Sequence, residues 1–254
     1  MRKAIFITVR TDSTRLPNKA LLKILEKPTI ELVISRAKQV KNLDHIILCT
    51  TIRQIDYGLV KIAQECGIEY FRGSVEDKLE RWLGASKRFH VDYFITVDGD
   101  DLLCDPELVE ISIQQMERGK CDFIKAPPGL ICGAFTYCIR TRALKKVCDI
   151  KDTQDTEMMW VYFENTGIFN VCNLNVREKI FFSDEIRLTL DYEEDFEFFT
   201  KVFEAFACKN NDVPLRQIVK YLNDHPEIVA INSFRQKDYL ENQKRKTKLI
   251  IKKL

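Results

Sequence analysis

Near its start the chain carries an apolar run, Ala4 to Val9, that meets its first charge only at Arg10. Apolar residues at five of its six positions, with only Thr8 between them, predict a central strand buried on both faces. Ile30, Val33, Ile34 and Ala37 then recur at helical spacing, which predicts a helix over residues 28–40 with Pro28 at its front, where proline is tolerated. Ile46 to Thr50 predicts a second strand, Ile55 to Cys66 a helix stopped by Gly67, and Glu69 to Arg72 a short third strand. Ser74 to Asp77 has the composition of a helix start, with Leu79, Trp82 and Leu83 following on one face. Tyr93 to Val97 predicts a fourth strand, and it ends in a burst of carboxylates.

Strands alternating with helices through short connections imply an α/β fold: a mostly parallel, doubly wound sheet flanked by helices. Such sheets bind ligands beyond the carboxyl ends of their strands. Arg10 to Lys19 and Asp98 to Asp101 each follow a strand directly, so both are expected at that edge. The second half is less regular. It predicts a helix over 106–117, short strands within 122–140 around the Pro127-Pro128-Gly129 turn, helical pieces over 141–163 and a strand over 168–176. Ile186 to Leu190 reads as a last strand before a helix whose Phe196, Phe199, Phe203 and Phe206 form a core-facing stripe. The basic end, Lys244 to Lys253, reads as a solvated helix or a frayed tail. With no repeat, low-complexity linker or boundary visible, one domain over 1–254 is expected.

Composition narrows the function classes. A net charge of +2 gives no case for nucleic-acid binding. The chain has no apolar span long enough to cross a membrane and no signal-peptide pattern, so a cytoplasmic protein is expected. The nine cysteines form no Cys-x-x-Cys pair and the three histidines lie far apart in sequence, which argues against zinc. Free thiols in that number point to a reducing compartment.

Three segments carry candidate chemistry. Arg10-Thr11-Asp12-Ser13-Thr14-Arg15-Leu16-Pro17-Asn18-Lys19 sets three cations on a hydroxyl-rich loop after the first strand. A triphosphate needs such a loop, because cations and N–H or O–H donors neutralise charge on a leaving pyrophosphate. A plain solvated loop is the alternative. Asp98-Gly99-Asp100-Asp101 closes the fourth strand with three carboxylates, which repel one another unless a cation sits among them. Magnesium takes one or two such carboxylates and completes its shell with phosphate oxygens and water; an acidic helix cap ahead of Pro106 is the alternative. Asp191 ends the Ile186–Leu190 run and is the candidate second metal ligand.

Together these residues resemble a known family. Val9-Arg10-x-x-Ser13-Thr14-Arg15-Leu16-Pro17-x-Lys19-x-Leu21 is similar to the signature loop of the CMP-sugar synthetases, notably the CMP-Kdo synthetases and the spore coat polysaccharide protein F group. Phe71-Arg72-Gly73-Ser74-x-x-Asp77-x-Leu79-x-Arg81 resembles a second motif of the spore coat group. Thr96 to Asp101 with Asp105-Pro106-Glu107-Leu108 resembles its metal motif, and Arg187-Leu188-Thr189-Leu190-Asp191-Tyr192-x-Glu194-Asp195 its closing motif. The resemblance runs in family order over about residues 5–206.

That resemblance implies a GT-A-like nucleotidyltransferase fold, a CTP-dependent cytidylyltransferase activity and a homodimer. It implies a nucleotide-binding half to about residue 120 and an acceptor and dimerisation half over 121–254. By motif position, Arg15 and Lys19 hold the triphosphate as catalytic cations. Arg10, Ser13, Thr14, Arg72, Asp77 and Arg81 surround the nucleotide, and Asp100 and Asp191 bind Mg2+. The acceptor is expected to be a small acidic sugar or a phosphorylated or phosphonylated compound. Thr153-Gln154-Asp155-Thr156-Glu157 departs from the group's Glu-His-Val-Thr-Pro stretch, so the acceptor does not carry over. Asp155 and Glu157 suit an amine-bearing acceptor, or simply start a surface helix. Lys125, Arg140, Arg142, Arg177 and Arg187 are candidate partners for an acceptor anion, most of them expected to be solvated. Two other readings stand: a GT-A glycosyltransferase working through Asp98-Gly99-Asp100, and a non-catalytic nucleotide-binding protein.

Overall fold

A computed structural model describes residues 1–252 of the chain. Among them, seven strands form one sheet: β1 (Lys3–Thr8), β2 (His45–Thr51), β3 (Glu69–Gly73), β4 (Tyr93–Asp98), β5 (Phe123–Lys125), β6 (Tyr137–Arg140) and β7 (Val171–Asn173). The sheet order is β3-β2-β1-β4-β6-β5-β7. The first four strands are parallel, β6 runs antiparallel between β4 and β5, and β7 is parallel to β5. The expected α/β fold, mostly parallel and wound on both faces, is what forms.

Each predicted helix of the first half is present, α1 (Thr29–Ala37), α2 (Tyr57–Glu65) and α3 (Lys78–Phe89), and so is the one expected over 106–117, α4 (Pro106–Glu117). The second half adds α5 (Thr141–Ile150), α6 (Glu193–Ala205), α7 (Leu215–Asp224) and α8 (Arg235–Lys246), with single turns at Val161–Glu164 and Pro226–Val229. Alternation along β1 divides the core. Ile5 and Ile7 pack with residues of α1, α2, α4, α6 and α7. Ala4 and Phe6 face the other way, with α3, α5 and the Val161–Glu164 turn. There Phe6 stacks on Phe94 at 4.2 Å and Trp82 meets Phe94 edge-on at 5.6 Å. The Trp82 indole N–H finds Thr8 Oγ1 at 2.8 Å, so burying it leaves no donor unpaired.

Several expectations are corrected. Ile186 to Leu190 is extended but joins the sheet by no ladder; its hydrogen bonds run to loops, Leu188 N to Cys132 O and Leu190 N to Asp100 O, both at 2.8 Å. Gly133 allows the approach: its φ is +87°, and a Cβ there would lie 2.1 Å from Leu188 O. The strand expected over 168–176 contracts to β7. The helix start read at Ser74 to Asp77 holds, with Asp77 capping α3 by accepting from Glu80 N at 3.1 Å. Arg140 and Arg187, expected in solvent, are buried, and Arg140 donates to Cys121 O and Met116 O at 2.8 and 2.7 Å. Cys121, just before β5, and Cys172 of β7 form a disulfide, so not all nine thiols are free. Of the two readings of the basic end, the solvated helix holds as far as Lys246 in α8; beyond it Asp152 N donates to Ile250 O at 2.9 Å and Lys252 N to Ile150 O at 2.8 Å. Lys253 lies outside the described residues.

Phe94 touches both aromatic partners from a fully buried strand position. Phe94→Ala is expected to cost about 3–5 kcal/mol of folding stability, read from equilibrium denaturant unfolding.

Candidate active site

The ends of β1 and β4 fix the geometry. Thr8 and Asp98 are register partners, so the chain leaves both strands side by side at one sheet edge. Gly99 makes the next step possible. A Cβ on Gly99 would lie 2.7 Å from the Cβ of Val9, and Gly99 N donates to Thr8 O at 2.8 Å. Arg10 onwards and Asp100 are thereby held against each other. Asp191 arrives from far along the sequence through the Leu190 N to Asp100 O bond.

Asp56, itself buried, pins the basic loop by accepting from Thr11 N at 2.8 Å and Thr11 Oγ1 at 2.7 Å. Further along, Thr29 Oγ1 donates to Lys19 O at 2.6 Å. These ties aim Lys19 inward. Its ammonium contacts Asp100, and it reaches Asp191 Oδ1 at 2.9 Å and Leu190 O at 2.8 Å. Arg15 also pairs with Asp191. Burial alone would lower the Lys19 pKa, but Asp100 and Asp191 outweigh it and hold the ammonium above the ordinary lysine value. For Asp191, burial acts to raise the pKa, yet Lys19 and Arg15 take it well below the usual carboxylate range.

Asp191 is held from behind by a buried network. Arg187 donates Nη2 to Asp191 Oδ2 and Nε to Asp195 Oδ1, both at 3.0 Å. Asp195 accepts from Asp191 N at 2.8 Å and Tyr192 N at 3.0 Å, capping α6 from inside its first turn. Asn232 Nδ2 donates to Asp195 Oδ1 at 2.9 Å. The network orients one carboxylate and touches no ligand space itself.

Three more carboxylates stand opposite. Asp98, Asp100 and Asp101 present oxygens that lie within 4.8 Å of one another. Burial, then Asp100 and Asp98, push Asp101 well above the ordinary carboxylate pKa; burial also raises Asp98, with Lys78 at 3.8 Å opposing it. Crowded hard oxygen donors of this kind fit a divalent cation.

All of this opens into one cleft of about 670 Å³. Of the residues singled out in the sequence, Arg10, Ser13, Thr14, Arg15, Lys19, Arg81, Asp100 and Asp191 line it. Arg81 is buried, with its guanidinium on Ser74 O at 2.8 Å and its Nε without a partner. Arg72 and Asp77 do not line the cleft. Arg72 donates to three carbonyls, Thr51 O, Ile52 O and Arg53 O, at 3.1, 2.7 and 3.0 Å. Asp77 caps α3, pairs with Lys151 and accepts from Thr156 Oγ1 at 3.0 Å. Both build the wall behind the site. Of the second-half cations, Lys125 lines the cleft and pairs with Glu164, while Arg142 pairs with Asp122 on the surface.

Sequence reasoning missed Lys78 and the whole of α8. Gln236, Tyr239, Gln243 and Lys246 line the cleft although no residue of α8 is fully buried. The signal for Lys78 was its place beside the helix cap; α8 has a polar composition that gives none. Of the two acidic residues in the divergent segment, Glu157 lines the cleft and Asp155 does not.

Comparison with known proteins bears on this site. The profile of a family described as cytidylyltransferase matches residues 4–245. An uncharacterized protein of Methanocaldococcus jannaschii is 34% identical over 240 residues, covering 92% of this chain and 96% of that protein. The spore coat polysaccharide biosynthesis protein SpsF of Bacillus subtilis is 27% identical over 229 residues, covering 87% and 94%. Among solved structures, a cytidylyltransferase from Leptospira borgpetersenii is similar with a TM-score of 0.81 at 24% identity, covering 90% of this chain and 97% of that one. CMP:2-keto-3-deoxy-manno-octonic acid synthetase, solved in complex with CTP, gives a TM-score of 0.65 at 17% identity, covering 81% and 100%. At those identities the two structures speak for the fold. Among the described residues no helix is long and apolar enough to cross a membrane.

Two outcomes follow from the charges. Asp195→Ala leaves Arg187 buried without its main partner, and a loss of about 3–5 kcal/mol in denaturant unfolding is expected. Asp101 has a raised folded pKa, so its ionised form opposes folding at neutral pH and protonation relieves the penalty as pH falls. In protein stripped of metal by chelation, Asp101→Asn is therefore expected to raise the thermal midpoint at neutral pH. The difference from wild type should shrink towards zero as pH approaches about 4, where the unfolded carboxyl also protonates.

Proposed function

This chain belongs to the cytidylyltransferase family, and on that premise we propose that it transfers CMP from CTP to a small acidic sugar or a phosphorylated or phosphonylated acceptor, releasing pyrophosphate. One observation carries the reading: Lys19 contacts both Asp100 and Asp191 in the cleft that Arg10 and Arg15 also line. Cations suited to a triphosphate and carboxylates suited to a divalent metal thus share one site. A glycosyltransferase working through Asp98-Gly99-Asp100 has no comparable use for the basic loop, and family membership leaves that alternative without support.

In this reading an acceptor oxygen forms a bond to the α-phosphorus as the bond to the bridging oxygen breaks, and pyrophosphate leaves in line. Arg15 and Lys19 hold the triphosphate and stabilise the charge that gathers on the leaving group. Arg10, Ser13, Thr14 and Arg81 lie along the nucleotide. Asp100 and Asp191 would hold Mg2+, whose hard-cation chemistry matches these oxygen donors and would neutralise phosphoryl charge. Positioning, rather than covalent chemistry by the protein, supplies most of the acceleration. The half to about residue 120 takes the nucleotide, and the half from about 121 takes the acceptor and the second subunit of a homodimer.

Calorimetry with each of the four ribonucleoside triphosphates and Mg2+ tests the donor. Selective CTP binding, weakened about tenfold or more by Asp100→Asn, is expected. Lys19→Met should lower turnover by about 10²-fold or more, the scale of losing one preorganised charge contact. Equal binding of all four nucleotides, indifferent to Asp100→Asn, would overturn the reading.

A further inference from the structure

Lys125, Glu157 and Glu164 line one part of the cleft together with Lys246 of α8, and these charges are paired. Lys125 pairs with Glu164. Glu157 accepts from Lys246 Nζ through both oxygens at 3.2 Å, and its Oε2 lies 3.9 Å from Arg10 Nη2. All four charged groups of these two lysine–glutamate pairs line the cleft, and none is fully buried. The Arg10 contact also fixes where Glu157 stands. It is one ion pair away from the loop that faces the triphosphate, so a group bound at Glu157 lies beside the reacting phosphates.

We propose that the acceptor is a zwitterion, a small acid that also carries an ammonium group, and that Glu157 selects for the ammonium. This rests on the cytidylyltransferase reading and names the substrate class of that same site. The reasoning is electrostatic. An acceptor that is only an anion takes Lys246 from Glu157, or Lys125 from Glu164, and leaves that carboxylate without its nearest cation. A zwitterion replaces both members of a pair, its anion meeting the lysine and its ammonium meeting the glutamate. Specificity of this kind comes from the group left unpaired by the wrong ligand. Tyr137, the register partner of Lys125, and Trp160 line the same cleft and are residue types that attract ammonium groups.

The test uses the full-length protein with CTP and Mg2+ and probes that differ only in the amine. 2-Aminoethyl phosphate is set against ethyl phosphate, 2-aminoethylphosphonate against ethylphosphonate, and an amino-substituted sugar acid against its deamino form. Pyrophosphate release is followed for turnover, and calorimetry with a non-hydrolysable CTP analogue reads binding whether or not a probe reacts. In at least one pair the amine-bearing member is expected to be favoured about tenfold or more. Glu157→Gln should bring that ratio close to one, while Glu157→Asp keeps part of it. No preference in any pair, no binding of any probe, or a preference unchanged in Glu157→Gln would each overturn the proposal. If CTP itself fails to bind, the cytidylyltransferase reading falls instead, and the two failures are distinguished in the first titration.

Discussion

Four carboxylates crowded at one edge of the sheet set the terms for the rest of this structure. Asp98, Asp100 and Asp101 leave β4 together, and Asp191 is brought to them by a single backbone hydrogen bond. Their mutual repulsion is large at such distances when water is partly excluded. The fold meets it unevenly. Asp191 receives Arg15, Lys19 and Arg187 and stays ionised; Asp101 receives no cation and resists ionisation. A site arranged in this way holds part of its folding energy in reserve for a cation and a polyphosphate, the trade seen wherever binding sites are built from like charges.

The parallel half was legible because its signals are local. An almost unbroken apolar run such as Ala4 to Val9 can be little other than a buried strand, and helix spacing behind Pro28 or around Trp82 leaves small freedom. The site followed from topology, since strands that run parallel must discharge their loops at one edge. What escaped notice depends on long-range partners. Ile186 to Leu190 has the composition of a strand, but its hydrogen bonds belong to Cys132 and Asp100, which no local pattern foretells. Arg187 stood among cations most of which were read as solvated; Asp191 and Asp195 lie four and eight residues on in the same motif, but its burial also depends on the distant Gln236 and on Tyr239. Arg72 and Asp77 belong to the second motif, and here Arg72 donates to backbone carbonyls while Asp77 caps α3, contacts that depend on the fold.

The two halves differ in how they make the cleft. The first contributes strand ends and loops tied by short buried bonds, such as Thr11 to Asp56. The second contributes ion pairs on longer side chains, Lys125 with Glu164 and Lys246 with Glu157. Short buried bonds hold the first set, whereas the second sits on long side chains that stay partly exposed. Arg10 belongs to both, pairing with Asp12 at 3.1 Å within its own loop and approaching Glu157 across the cleft.

The helix α8 carries one more consequence. It walls the cleft yet buries none of its residues fully, and it is held by Arg187 over the Tyr239 ring at 4.6 Å, by Arg235 on Glu194 at 2.8 Å and by Lys246 on Glu157. Elements held mainly by polar contacts open at a small fraction of the global unfolding free energy. That wall of the cleft is therefore expected to exchange its amide protons sooner than the sheet behind the basic loop and the carboxylates.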